Sequence, residues 1–150
     1  MTRERSETAH VVVLGSGHSS DADPSFSDID RDFRRRGAFG CGAHFVITRD
    51  GTTHLGRPLN QIGCVAPGYN AHAIFVCLAG GMDDPGDWSD NYSQVQREAL
   101  RYLLTSPLLT KPYPGTPVRT YGELIGRSGN PGFLMSDWED IPRITPSCTL

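Results

Sequence analysis

Short apolar runs alternate with polar, glycine-rich stretches along this chain. Residues 10–14 (HVVVL) are dense in β-branched side chains, and Gly15-Ser16-Gly17 follows at once. That pattern predicts a buried strand ending in a loop. Ser25 and Asp28 have the spacing of a capping box, with Ile29 and Phe33 four residues apart, so a helix is expected to reach about Arg36 before Gly37 ends it. Residues 43–48 predict a second strand. Arg49-Asp50-Gly51 is its hairpin turn, because Asp-Gly supplies the positive φ that tight hairpins need, and residues 52–55 return as the partner strand. Residues 60–70 read as loop. Residues 73–79 (AIFVCLA) are nearly all apolar, the mark of a strand covered on both faces.

Ser93 and Gln96 form another capping box, with Val95, Ala99, Tyr102 and Leu103 predicted as one apolar stripe running to about Thr105. Four prolines between 107 and 117 predict an irregular loop, after which residues 118–120 form one more short strand. Beyond Glu123 the chain reads as loop, with one helical turn expected near residues 136–140. Strand, helix, hairpin, strand, helix, strand is the order of an α/β domain with a mixed central β-sheet flanked by helices.

Composition narrows the class. One hundred and fifty residues with 37% hydrophobic side chains suit a single domain, with residues 1–9 expected to be flexible. Lys and Arg number 14 against 17 Asp and Glu, a net charge of -3, which argues against direct nucleic-acid binding by phosphate neutralisation. No apolar run is long enough to cross a bilayer, so no membrane partner is expected. The first ten residues are too polar for a secretory signal, and a cytoplasmic location follows as the expectation, the host cytosol if a phage encodes the chain. The four cysteines, at 41, 64, 77 and 148, contain no CxxC pair and suggest neither a disulfide framework nor a zinc knuckle.

Gly15-Ser16-Gly17 lacks the third glycine of a phosphate-binding turn and reads as a strand-end turn. Of the five histidines, His18 and His44 each adjoin a strand and a glycine and are the better placed for chemistry. Arg34-Arg35-Arg36 at a helix end complements the helix dipole on a solvated face.

Several blocks resemble one known family. They are His18-Ser19-Ser20 after the first strand, Gly42-Ala43-His44-Phe45-Val46-Ile47 into Arg49-Asp50-Gly51-Thr52, Gly56-Arg57, Gly68-Tyr69-Asn70, and Val76-Cys77-Leu78-Ala79-Gly80-Gly81 with Asp83-Asp84. Together with the helix near residues 93–104 they are similar to the N-acetylmuramoyl-L-alanine amidase fold of short-tailed-phage lysozymes and peptidoglycan recognition proteins. The resemblance covers residues 11–124. It implies hydrolysis of the amide between muramic acid and L-alanine by water bound to a zinc ion, which two His and one Cys hold, with a Tyr and often a Lys on the oxyanion.

Carried over, the resemblance implies the first zinc ligand at His18 and the second at Tyr121, where the family has His ahead of an acidic residue, here Glu123. The third, from a Lys-x-Cys-Pro motif, falls on Thr145 of Arg143-Ile144-Thr145-Pro146. The oxyanion positions become Ala43 and Arg143, and a substrate-side His becomes Val65. Phenol and hydroxyl are poor zinc donors beside imidazole and thiolate. A non-catalytic, metal-free cleft is therefore expected, with a small polar ligand bound by His18, His44, Tyr69, Tyr121, Glu123, Arg143 and Thr145. The ligand could be a peptidoglycan fragment or a nucleotide-like host immune signal, because Tyr stacks and Arg forks onto carboxylate or phosphate. One alternative is a working zinc amidase with a shifted tail and His18, Glu123 and Cys148 as ligands. Another is a regulator that binds the phage RNA polymerase, as some phage lysozymes of this family do.

Overall fold

A computed structural model of the chain describes residues 4, 5, 7–127 and 129–138. β1 (His10–Gly15) leads into α1 (Phe26–Arg35), then β2 (Phe45–Ile47) and β3 (Thr53–Leu55) form the Asp-Gly hairpin. β4 (Ala73–Leu78) follows, then a small hairpin of β5 (Met82–Asp84) and β6 (Asp87–Trp88). The chain continues through α2 (Gln94–Thr105), α3 (Pro107–Thr110), β7 (Val118–Thr120) and α4 (Tyr121–Ile125), and makes a 3-10 turn at Met135–Asp137.

The main sheet has the order β3-β2-β4-β1-β7, with β2, β4, β1 and β7 parallel and only β3 antiparallel, so the mixed sheet is as expected. Successive side chains of a strand point to opposite faces. Val11 and Val13 accordingly join the cluster under α2 and α3 with Leu100, Leu104 and Leu109, while Val12 and Leu14 join Ile29 and Phe33 of α1 on the other face. All six residues of β4 are buried, which explains its unbroken apolar run. Among the described residues no helix is long and apolar enough to cross a membrane.

Both strong capping boxes form as expected: Ser25 Oγ accepts from Asp28 N, and Ser93 Oγ accepts from Gln96 N. The α2 stripe agrees with expectation at Leu103 and, in part, at Ala99, which packs against the core, and departs from it at Val95 and Tyr102. Val95 and Tyr102 are exposed, and the buried face is Gln96, Leu100, Leu103 and Leu104. The cause is polar: Gln96 turns inward to donate to Ile47 O and Ala79 O, rotating the helix by about one residue. The 107–117 segment is not wholly irregular, because Pro107 sits at the first position of α3, where its missing N–H costs nothing. The strand expected at residues 43–48 shortens to Phe45–Ile47. The β5–β6 hairpin and α4 carry too little apolar periodicity to be read in advance. Of residues 1–9, expected to be flexible, Arg5 is anchored: its backbone N donates to Asn60 O, and its guanidinium donates to Leu59 O and Tyr113 Oη.

Candidate functional site

A cavity of about 530 Å³ opens on the α1 side of the sheet at the carboxyl ends of β1 and β7. Open α/β sheets place ligand sites at such ends, because the loops that leave the strands diverge there and the strands fix their roots. Val13 pairs with Thr120, so the next residues, Leu14 near the end of β1 and Tyr121 at the start of α4, stand side by side, and both line the cavity. Asn130 closes a third side, α1 supplies Asp32 and its C-cap residue Arg36, and the β6 residue Trp88 brings an indole. Val65 and the exposed Cys64 also line it.

The loop after β1 is held rigidly. His18 N donates to Gly80 O, and Met82 N donates to His18 O. Arg49, legible in the sequence only as a turn residue, donates from its guanidinium to Ser19 O, Ala22 O and Asn91 O, pinning that loop to the hairpin. Gly15 has to be glycine because a Cβ there would strike the Tyr92 hydroxyl and come within 2.9 Å of the Trp88 ring. Gly80 N donates to Ser16 Oγ at 2.9 Å, and the same hydroxyl is hydrogen-bonded to His18 Nδ1 at 2.7 Å. His18 Nε2 then faces Asp32 Oδ2 at 3.4 Å. Ser16, His18 and Asp32 thus form a polar relay of which Ser16 and Asp32 line the cavity.

The residues expected at the site divide three ways. Tyr121 and Val65 line the cavity, and His18 borders it through Ser16 and Asp32. His44, Tyr69, Ala43 and Glu123 do not line it. His44 is wholly buried between strands, accepting from Phe75 N at Nδ1 and donating from Nε2 to Gln61 O, and burial holds its pKa down at about 4. Tyr69 packs edge-on against His10, and Ala43 is wholly buried. Glu123 caps α4, where Oε1 accepts from Thr120 N, and it faces a separate depression of about 270 Å³. Arg143, Thr145 and Cys148 lie outside the described residues.

Leu14, Asp32, Arg36, Trp88 and Asn130 carry no signature that singles them out in the sequence. The nearest signal was Asp32, which follows Ile29 by three positions and so falls beside the buried face of α1. Asn130-Pro131 was a second, since it offers a polar residue before proline beside Arg127, much as the Lys-x-Cys-Pro motif does.

The family model for N-acetylmuramoyl-L-alanine amidases matches residues 5–127. The chain belongs to that family. It is 34% identical over 136 residues to the endolysin of Escherichia phage T7, covering 91% of this chain and 88% of the relative. With the endolysin of Klebsiella phage KP32 it shares 31% over 135 residues, 90% of this chain and 87% of the other. Among solved structures, the N-acetylmuramoyl-L-alanine amidase LysC from Clostridium intestinale superposes with a TM-score of 0.69 at 26% identity, covering 89% of this chain and 83% of that one. Drosophila PGRP-LB superposes with a TM-score of 0.70 at 22% identity, covering 100% and 91%, a likeness of fold.

Family members hold a zinc ion, which asks for three imidazole, thiolate or carboxylate donors converging on one point. Leu14, Tyr121 and Asn130, which meet where β1 and β7 end, offer an aliphatic chain, a phenol and a carboxamide. Among the described residues no group of three His, Cys, Asp or Glu is placed to hold a metal. The described donor set does not fit zinc.

Proposed function

We propose that this endolysin-like member of the amidase family binds a peptidoglycan fragment in its cleft without hydrolysing it. The observation that carries the reading is Tyr121, a phenol in the cavity at the position where the family resemblance implies an imidazole ligand. The oxyanion position agrees with it, since Ala43 is a buried methyl that can donate no hydrogen bond. What remains suits recognition. Asp32 and Arg36 supply one charge of each sign, Trp88 and Tyr121 supply faces for a sugar ring or a peptide plane, and the volume falls within the range of small-ligand sites.

The expected result is micromolar binding of soluble muropeptides by calorimetry, with no release of peptide from purified peptidoglycan under the same conditions. Silence toward muropeptides together with binding of cyclic dinucleotides would move the ligand to the nucleotide class. Silence toward both would defeat the reading.

A second reading, a working zinc amidase, is favoured by the endolysin names of relatives that match across most of their length. It requires donors from outside the described residues, Cys148 above all, to join His18 and Glu123. Peptide release that stops on chelation and returns with zinc would establish it in place of the first.

A further inference from the structure

In a metal centre the ion ties separate segments together. Here three segments converge with no matching donor set: the end of β1, the start of α4 and the turn at Asn130. Val11 N donates to Pro117 O, so the odd-numbered amides of β1 face β7, and β7 stops at Thr120, opposite Val13. Gly15 N is the next amide on that side, and the strand that should receive it has already turned into α4. A polar N–H left without a partner at that depth is costly. Asn130 meets the need: its Oδ1 accepts from Gly15 N at 2.7 Å, and its Nδ2 reaches back to Gly15 O at 3.5 Å. A thiolate before Pro131 could accept from the amide but could not donate in return.

We propose that an Asn130–Gly15 clasp replaces the family's metal as the tie across the cavity floor, and that Leu14, Tyr121 and Asn130 stand at the three former ligand positions. Under this proposal two of the ligand positions implied by the resemblance shift. The first position is Leu14, at the strand end, rather than His18, whose ring is engaged with Ser16 and Asp32. The third is Asn130 of Asn130-Pro131 rather than Thr145 of Thr145-Pro146. Leu14 then serves as an apolar plug where an imidazole would project, and the carboxamide is committed to backbone. The inference rests on the non-hydrolytic reading of the cleft, but zinc retention and muropeptide affinity are separate measurements, so either can fail alone.

The test loads the full chain with zinc, removes the excess by desalting and measures metal per chain, alongside thermal unfolding in zinc and in chelator. The unchanged protein is expected to retain no stoichiometric zinc and to unfold at the same temperature in both. Asn130→Ala is expected to lower that temperature by about 2–4 °C, equally in zinc and in chelator. The combined variant Leu14→His, Tyr121→His and Asn130→Cys is expected to retain about one zinc per chain and to lose thermal stability on chelation. Stoichiometric zinc in the unchanged protein would overturn the proposal, and its loss on Cys148→Ser would assign the metal to the tail. A combined variant that is folded by circular dichroism yet takes up no zinc would overturn it as well. If that variant does not fold, an Asn130→Ala protein as stable as the parent decides against the clasp.

Discussion

His44 makes the case for reading a histidine by its bonds. It adjoins a strand and a glycine, as a ligand would, yet both its nitrogens are spent on the backbone at Phe75 and Gln61, and its ring lies parallel to Phe75. Burial makes protonation unfavourable, so its pKa falls from 6.5 to about 4. In the unfolded chain it protonates near 6.5, hence below that pH the unfolded state binds the extra proton first. The stability that neutral His44 confers is complete above pH 6.5 and declines as pH falls toward 4. The decline from this one group amounts to about 3 kcal/mol as an order of magnitude. Urea unfolding from pH 7 to pH 4 should show it. His44→Phe should be less stable at pH 7 by roughly 2–4 kcal/mol, because the Phe75 amide and Gln61 carbonyl lose their partner. The same variant should show a flatter pH dependence across that window, and an unchanged slope would mean that other groups carry it.

At the scale of elements, legibility followed how local the governing interaction is. Capping boxes at Ser25 and Ser93 and the Asp-Gly hairpin are set within four residues, and the structure contains each of them. β4 could be read because burial on both faces leaves a continuous apolar signature. The α2 stripe was legible only in part, because its phase depends on Ile47 O and Ala79 O, which are distant in sequence and accept from the Gln96 amide at the helix face. Those carbonyls are reached by an amide that also closes the cap, where Gln96 Oε1 accepts from Ser93 N. Gln96→Met keeps the volume but strips both the donor and the acceptor. Leaving Ala79 O without this partner, Ile47 O with the Ala79 amide alone and the Ser93 N half of the capping box undone should cost roughly 2–4 kcal/mol, read as a lower urea midpoint at unchanged slope. Val95→Ala, on the exposed side of the same turn, should change stability by less than about 0.5 kcal/mol. Equal effects of the two substitutions would restore the stripe expected from periodicity.

Across the whole molecule, the sheet separates two tasks. The fold was legible through turns, caps and one doubly buried strand. The site was not, because it is assembled from the ends of β1 and β7, one side of α1, a residue of β6 and Asn130, which come together only once the sheet has formed. On one face, Trp138 stacks on Phe133 at 3.9 Å, lies under the Arg97 guanidinium and donates from Nε1 to Asp90, fastening α2 to the segment that follows the cavity. On the other face, α1 and the strand ends build the cleft. The two faces share β1 but not their side chains, since alternate residues serve each. Trp138→Phe should therefore lower the thermal midpoint by several degrees, through the lost indole N–H and the smaller ring, and leave muropeptide affinity within about twofold. Tyr121→Ala should do the reverse. It removes an aromatic surface of the cleft, weakening binding by about tenfold or more, while its half-buried position limits the loss of stability. Calorimetry and thermal unfolding on both variants give four numbers that must fall in this crossed pattern. If both substitutions weakened binding alike, the faces would be coupled through the strands and the cleft would not be an independent site.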